Sequence, residues 1–511
     1  MTRLDEVVRR GAADAPRRAA LVHGAEVVDF AALADRVGRG AVVAEGLAPP
    51  GGRIATVGPN HPGWVELQHA VPAAGRVLVF LNHRLTAAEQ AALLHRSGAS
   101  AVVGEAGHLE RLEKQGVELP MLDRDGWASA RDAVADRTGG AGTAGGDEPA
   151  WLLYTSGTTA APKGATLTHS SVLAAVRASA AARPVEPDDV YLFAFPLCHV
   201  AAYNVVHRHA HGRTVVLLDG FAPAAFCDAV QANGVTSTSL AATMLAALLD
   251  HVDAAPGALD QLATLRAVAY GAAPMPPALL RRAHDRLGVD LAQGYGMTEL
   301  SGNAVFLDAA THRRGLAGEE HLLGAAGRPA PGVELRIVDE GDRDLPDGSV
   351  GEILVRAPQV MAGYWDDPDA TAAALRGGWL HTGDLGRVDD EGLLHVVDRR
   401  KDVVITGGEN VSSREVEDVL HDVPGVARVA VVGVPDPTWG ENVCAVVVAR
   451  PDVVLDPADL VATARARLAG FKVPRHVVMV DELPVNAAGK VVKAEVRAWL
   501  AAEPGRAGPR L

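Results

Sequence analysis

The segment Tyr154-Thr-Ser-Gly-Thr-Thr-Ala-Ala-Pro-Lys-Gly-Ala-Thr-Leu-Thr-His169 crowds the hydroxyls of Thr155, Ser156, Thr158 and Thr159 together with Gly157, Gly164 and Lys163, directly behind the apolar stretch Trp151-Leu-Leu-Tyr. Glycines let backbone N–H groups approach an anion, hydroxyls add donors, and a lysine brings a full charge, so the loop is suited to phosphate. It is not a Walker A loop, because Lys163 precedes Gly164 and the order G-x-x-x-x-G-K-[ST] is absent. Taken alone, a Gly/Thr-rich turn without a ligand is the competing reading.

Four further segments follow in order: Tyr295-Gly-Met-Thr-Glu299, Trp379-Leu-His-Thr-Gly-Asp-Leu385, Asp398-Arg-Arg-Lys-Asp402 with Gly407-Gly-Glu-Asn410, and Pro484-Val-Asn-Ala-Ala-Gly-Lys490. With the first, they resemble the adenylate-forming superfamily of acyl- and aryl-CoA synthetases, peptide-synthetase adenylation domains and luciferases. The resemblance runs from about residue 54 to residue 500. It implies an acid–CoA ligase that uses ATP, Mg2+ and CoA. An acid is first joined to AMP with loss of pyrophosphate, which replaces a poor leaving group by a good one, and the acyl group then passes to a thiol.

The same resemblance assigns roles. Thr155, Ser156, Gly157, Thr158, Thr159 and Lys163 hold the β- and γ-phosphates, Thr298 donates to the α-phosphate, and Glu299 holds Mg2+, the expected oxygen donor for a hard cation. Tyr295, Gly294, Gly271, Ala272 and Ala273 frame the adenine, while Asp384 accepts both ribose hydroxyls and Arg399 approaches from the hinge. Lys490 enters during adenylation to stabilise the transition state. Lys401 is the hinge, about which a lid rotates so that Gly407 and Gly408 line the thiol channel. His199 stands beside the acyl group. Tyr203, Asn204, His207, Thr238, Ala242 and Ala272 form the acid pocket, and Arg84, Trp439, Phe471 and Arg475 contact CoA.

Three positions depart from the superfamily pattern. Ala160 replaces a glycine of the phosphate loop, and Ser412-Ser413 replace an aromatic-Pro pair. Tyr203-Asn-Val-Val-His-Arg-His-Ala-His211 puts polar side chains where fatty-acid relatives are apolar, which predicts a small or aromatic, polar-substituted acid. Alternatives are an ATP-dependent diazotase joining nitrite to an aryl amine, an enzyme loading a carrier protein, and a non-catalytic nucleotide-binding relative, which the retention of Lys490, Glu299 and Asp384 disfavours.

The elements that must position these residues follow from patterning. A chain of 511 residues exceeds a single core. The expected fold is α/β: a large N-terminal domain (1–400) of two α/β subdomains plus a small β-barrel, a small mobile α+β C-terminal lid (401–502), and a disordered tail (503–511). Apolar runs such as Val77-Leu-Val-Phe-Leu alternate with helical stretches such as Thr86-Ala-Ala-Glu-Gln-Ala-Ala-Leu-Leu, as in a largely parallel sheet. A second series covers 189–300, short strands fill 332–398, and residues 136–147 read as a flexible connection. A net charge of −15 and 4% aromatic residues argue against a nucleic-acid surface. Cys198, Cys227 and Cys444 are too scattered for a disulfide framework or thiolate metal site. With no signal-like or membrane-spanning apolar run, a cytoplasmic enzyme is expected, with carrier-protein and homodimer partnerships left open.

Overall fold

The run Val77–Leu81 is buried at every position, which a strand can tolerate only when both faces are covered. In the computed structural model it sits within a seven-stranded sheet ordered Gly363–Tyr364, Lys163–Thr168, Pro149–Thr155, Val77–Leu81, Arg53–Val57, Ala99–Gly104, Met121–Asp123. Pairing is parallel from Pro149–Thr155 to Met121–Asp123, and Lys163–Thr168 returns antiparallel. The structure describes residues 1–135, 145–155, 162–271, 275–406, 409–436, 438–451, 453–486 and 490–502. The tail 503–511, most of the connection 136–147 and Ala160, for which the sequence raises expectations, fall outside these residues.

Local chemistry sets the helix ends. Thr86 accepts the Glu89 N–H at 3.3 Å while the Glu89 carboxylate takes the Thr86 N–H at 2.8 Å, starting the helix Ala87–Ser97. Gly98, at φ +58, ends it in the left-handed conformation.

The second series builds a nine-stranded sheet around the parallel strands Val190–Phe193, Thr214–Leu217, Ser237–Leu240, Ala267–Gly271 and Asp290–Met297. Residues 1–52 carry no motif, yet they supply its far edge: Ala19–His23 runs parallel to Thr214–Leu217 and forms a hairpin with Glu26–Asp29. These two sheets and their helices make one compact unit, Met1–Leu335 with Val355–Leu380. Its largest core joins Phe30, Trp127, Trp151, Tyr191 and Phe193.

The second unit takes Arg336–Leu354 and the chain from His381 onward. Contacts therefore do not thin out at residue 401, where the sequence suggests a boundary. The reason is local: Ser412 and Ser413 both donate to the Asp398 carboxylate, at 3.3 and 2.8 Å, and so stitch the helix Ser413–His421 onto the strand Leu394–Arg399. The segment expected as a small barrel forms a four-stranded sheet, ordered Glu334–Val338, Gly351–Arg356, Leu380–Val388, Leu394–Arg399. A five-stranded sheet centred on Gly440–Ala449 completes the unit.

One buried side chain ties the two large sheets together. Asn60 follows the strand Arg53–Val57 and donates to the Phe195 and Leu218 carbonyls, each at 2.8 Å, while its own carbonyl accepts the Leu197 N–H at 2.7 Å. Asn60→Ala leaves three backbone groups without partners and should cost about 2–4 kcal/mol. A fall in the thermal midpoint with unchanged secondary structure is the expected result, whereas Asn60→Asp should retain part of the loss because a carboxylate keeps the acceptor and removes the donors.

Candidate active site

In the first unit the strand pairing itself assembles the described end of the phosphate segment. Thr155 and Lys163 are cross-strand partners, and the Thr155 hydroxyl donates to the Lys163 carbonyl at 3.3 Å. Ser156, Gly157, Thr158 and Thr159, with Ala272 and Ala273, lie outside the described residues.

Gly363–Tyr364 adds an edge strand beside Lys163–Thr168, pairing Tyr364 with Ala165. Its neighbours lock it there: Ala362 N–H donates to Thr166 O at 2.9 Å and Trp365 N–H to Gly164 O at 2.7 Å. The Tyr364 ring then lies 5.1 Å from the Lys163 ammonium, and its hydroxyl donates to Glu299 Oε1 at 2.9 Å. Burial and the Glu299 charge push the Tyr364 hydroxyl well above its ordinary range, so it stays a donor. The Met361 N–H also holds the Glu299 carbonyl at 2.8 Å. Tyr364 thus joins the lysine of the phosphate segment to the carboxylate expected to hold magnesium, a role the sequence reading missed. Its only signal is an aromatic pair, Tyr364-Trp365, behind Gly363 and outside every motif.

Thr298 and Glu299 occupy a short 3-10 turn at the end of Asp290–Met297. Ser301 closes it at φ +53, with its hydroxyl 2.9 Å from that of Ser171. One oxygen of Glu299 is fixed by Tyr364 while the residue keeps solvent contact. A single carboxylate beside substrate phosphates suits Mg2+, which keeps several waters, so the donor set fits that ion.

Tyr295 follows Gly294, where close packing forbids a side chain. A Cβ on Gly294 would stand 2.2 Å from Asn303 Nδ2, and one on Gly271 would stand 2.5 Å from the Gly294 carbonyl. The two glycines are register partners, so the strand ends bring flat backbone to the place expected for adenine.

The pocket residues behave unequally. Tyr203, Asn204 and His207 are buried on the helix Tyr203–Ala210. Ser179 Oγ donates to the Tyr203 hydroxyl at 3.1 Å, Arg183 donates to Asn204 Oδ1 at 3.2 Å, and the Tyr203 ring packs against Gly302. His207 and His211 share a face, with ring centres 5.2 Å apart. Among the described residues His207 Nε2 has no hydrogen-bond partner, and neither has His199 Nε2. Burial, Arg84 and His83 hold His199 down to about 4, so it is neutral. Arg208 does not line a pocket: it is 2.8 Å from Asp189 and 4.5 Å over the Tyr191 ring, a structural pair within the sheet layer. The Thr238 hydroxyl donates to Leu192 O at 2.9 Å, which leaves it its acceptor lone pairs. Ala242 begins the helix Ala242–Ala254 and is partly buried against the second core. Arg84 lies in the turn after Val77–Leu81, its N–H donating to Asn82 Oδ1 at 3.0 Å.

The second unit carries the residues expected at the ribose and at the hinge. Asp384, buried, is the cross-strand partner of Arg399, with 3.4 Å between carboxylate and guanidinium. Thr382 Oγ1 accepts the Asp384 N–H at 3.1 Å and orients the carboxylate. Arg497 donates to the Lys401 carbonyl at 3.2 Å and pairs with Asp402 at 2.9 Å, so the expected hinge is held from the last helix. Burial and Arg399 lower the Lys401 ammonium.

Lys490 closes a tight turn, donating its N–H to Asn486 Oδ1 at 2.9 Å and accepting the Asn486 N–H at 2.8 Å. Surrounding protein, then Arg399 and Lys401, push its ammonium down to about 8, against the opposing pull of Asp384 and Asp402. The residue is itself exposed. Trp439 and Phe471 are both exposed, with Arg475 stacked 4.2 Å over Trp439 and donating to Asn442 Oδ1 at 3.0 Å. Gly408 lies outside the described residues.

Residues 8–365 match the family described as AMP-binding enzyme, and 415–490 match its C-terminal domain. A feruloyl-CoA synthase of Amycolatopsis sp. is 39% identical, over 96% of this chain and 97% of its own. An o-succinylbenzoate CoA synthetase from Bacillus subtilis, solved with its acyl-adenylate, superposes with a TM-score of 0.85 at 30% identity, covering 96% and 97%. An amide bond synthetase from Marinactinospora thermotolerans superposes at 0.87 with 35% identity, covering 97% and 99%.

Tyr364→Phe removes only the hydroxyl that fixes Glu299. Acid-dependent pyrophosphate release should fall by roughly tenfold, the equivalent of one hydrogen bond of about 1.4 kcal/mol, and the magnesium needed for half-maximal rate should rise. An unchanged magnesium titration would show that Glu299 needs no such support.

Proposed function

The chain belongs to the AMP-binding enzyme family, and from that premise we propose that it activates an aromatic or small polar acid rather than a long fatty chain. Its reaction is that of an AMP-forming acid–CoA ligase. A carboxylate oxygen attacks the α-phosphorus of ATP and pyrophosphate leaves; the CoA sulfur then attacks the acyl carbon and AMP leaves with the bridging oxygen.

Supporting the first step are Lys163, positioned beside Tyr364, and Glu299, pinned by the same ring. When bound, Mg2+ neutralises phosphate charge at Glu299. Thr298 donates toward the α-phosphate from the same turn, Asp384 orients the ribose, and Lys490 offsets the charge that grows on the phosphoryl oxygens. Supporting the second step, Trp439 and Arg475 offer a stacked, exposed surface for the CoA nucleotide, with Phe471 and Arg84 as further contacts. Lys401 is proposed as the hinge, and the lid is proposed to begin there.

The observation that carries the choice of acid is His207. It is fully buried beside Tyr203 and Asn204, with Nε2 lacking any partner among the described residues. An alkyl chain laid against such a nitrogen leaves it unsatisfied at a cost of about 1–3 kcal/mol, whereas a phenol, methoxyl or second carboxyl group completes it. The likeness to enzymes named for feruloyl and succinylbenzoyl groups supports the same class.

Pyrophosphate release with ferulate, benzoate, aminobenzoate, malonate and palmitate, each with and without CoA, tests this. Substituted aromatic acids should lead and AMP formation should need CoA. Preference for palmitate would overturn the choice of acid, and AMP release without CoA but with a carrier protein, with an amine, or with nitrite plus an aryl amine would overturn the acceptor.

Lys490→Ala should lower acid-dependent pyrophosphate release by roughly 10²–10³-fold, as loss of one such charge does, while preformed acyl-adenylate still reacts with CoA. Because the ammonium acts in its charged form and its folded pKa is lowered toward about 8, the adenylation rate should fall as pH rises through the 8–10 range, and the thioester step should not share that limb. Equal losses in both steps would assign Lys490 to the fold.

A further inference from the structure

The hairpin that edges the nine-stranded sheet carries side chains that the ligation chemistry leaves unused. His23 ends one strand and Glu26 begins the next as its cross-strand partner, with Gly24 turning the chain at φ +56. His61 caps the helix Pro62–Ala73 and brings its ring to 5.5 Å from that of His23, edge on. One ligating atom from each of His23, Glu26 and His61 lies within 4.8 Å of the other two, and none of the three is fully exposed.

We propose that His23, Glu26 and His61 bind a divalent transition-metal ion such as Zn2+, with Asp219 orienting His23. Two imidazoles and a carboxylate are the donor set that borderline cations take in preference to Mg2+. The Asp219 carboxylate contacts His23 Nε2, placing the ring proton there and leaving Nδ1 its lone pair, which is the usual carboxylate–histidine–metal arrangement. Donors around zinc stand roughly 3.3 Å apart, so the three side chains must close by about 1.5 Å, within reach of the Glu26 rotamers.

The surroundings both help and oppose. Glu26 gives one oxygen to Arg36 at 3.0 Å and turns the other toward His61 Nε2, 4.0 Å away. Arg124 disfavours added positive charge at His61 while Glu26 and Asp219 favour it, and Arg36 competes for Glu26. The Gly63 N–H donates to His61 Nδ1 at 3.0 Å; an ion at Nε2 moves the ring proton to Nδ1 and exchanges that cap for the metal bond. Micromolar rather than tighter binding is the expected consequence.

Asn60 precedes His61 and holds Leu218, beside Asp219, together with Phe195 and Leu197 in the loop that leads to His199.

Full-length protein stripped with a chelator and kept free of nucleotide is titrated with Co2+ and with Zn2+. One Zn2+ per chain should be retained on equilibrium dialysis against micromolar Zn2+, and Co2+ should give the intense visible bands of a low-coordinate nitrogen–oxygen site. His23→Ala with His61→Ala should abolish both while circular dichroism stays native, and Asp219→Asn should weaken binding roughly 10–100-fold. A Co2+ spectrum on the unaltered protein identical to that of the aqueous ion, or Zn2+ retention equal in the double variant, would overturn the proposal.

Discussion

The Tyr364 hydroxyl reaches Glu299 at 2.9 Å because the short segment around it is hydrogen-bonded onto the strand Lys163–Thr168. That one bond fixes the carboxylate expected to carry magnesium relative to the lysine expected to carry phosphate. Everything else in the first unit serves that geometry. Lys163 is placed by its pairing with Thr155, Glu299 by the turn that Ser301 closes in the left-handed conformation, and both sheets are held in register by Asn60. A phosphoryl-transfer site works by positioning charge in advance, since little covalent work falls to the protein. The packing cost of an edge strand whose tyrosine must stay protonated beside a carboxylate is the cost of that preorganisation.

The second unit applies the same logic to different charges. Asp384 and Arg399 face each other as cross-strand partners, so the buried Asp384 carboxylate has a cation beside it. Lys490 is held in a turn whose backbone is closed at both ends by Asn486, and its neighbours Arg399 and Lys401 make its charge costly until an anion arrives.

Much of this was legible in the sequence because phosphate and ribose chemistry restricts residue types within short windows. Thr298-Glu299, Asp384 and Lys490 announce themselves, as do the buried strands Val77–Leu81 and Thr214–Leu217. Tyr364 was not legible: it lies outside the motifs, and only tertiary pairing reveals its partner. The partner of Arg208 was hidden in the same way, since Asp189, which neutralises it, sits on another element. Ser412 and Ser413 depart from the superfamily's aromatic-Pro pair. In the fold they bind Asp398, and Lys493 Nζ reaches Ser413 Oγ at 2.6 Å, so the substitution is an anchor with partners of its own. The edge hairpin at residues 19–29 left no signal because its strands are short and its pairing is with a strand nearly two hundred residues onward.

The claim on which the account rests is that a carboxylate oxygen becomes bonded to the α-phosphorus before the thioester forms. Turnover of a carboxyl-18O-labelled aromatic acid that supports CoA-dependent AMP release, followed by mass spectrometry of the nucleotide, tests it directly. The account predicts one labelled oxygen in AMP for each thioester made. Unlabelled AMP, or ADP with inorganic phosphate in its place, would contradict it.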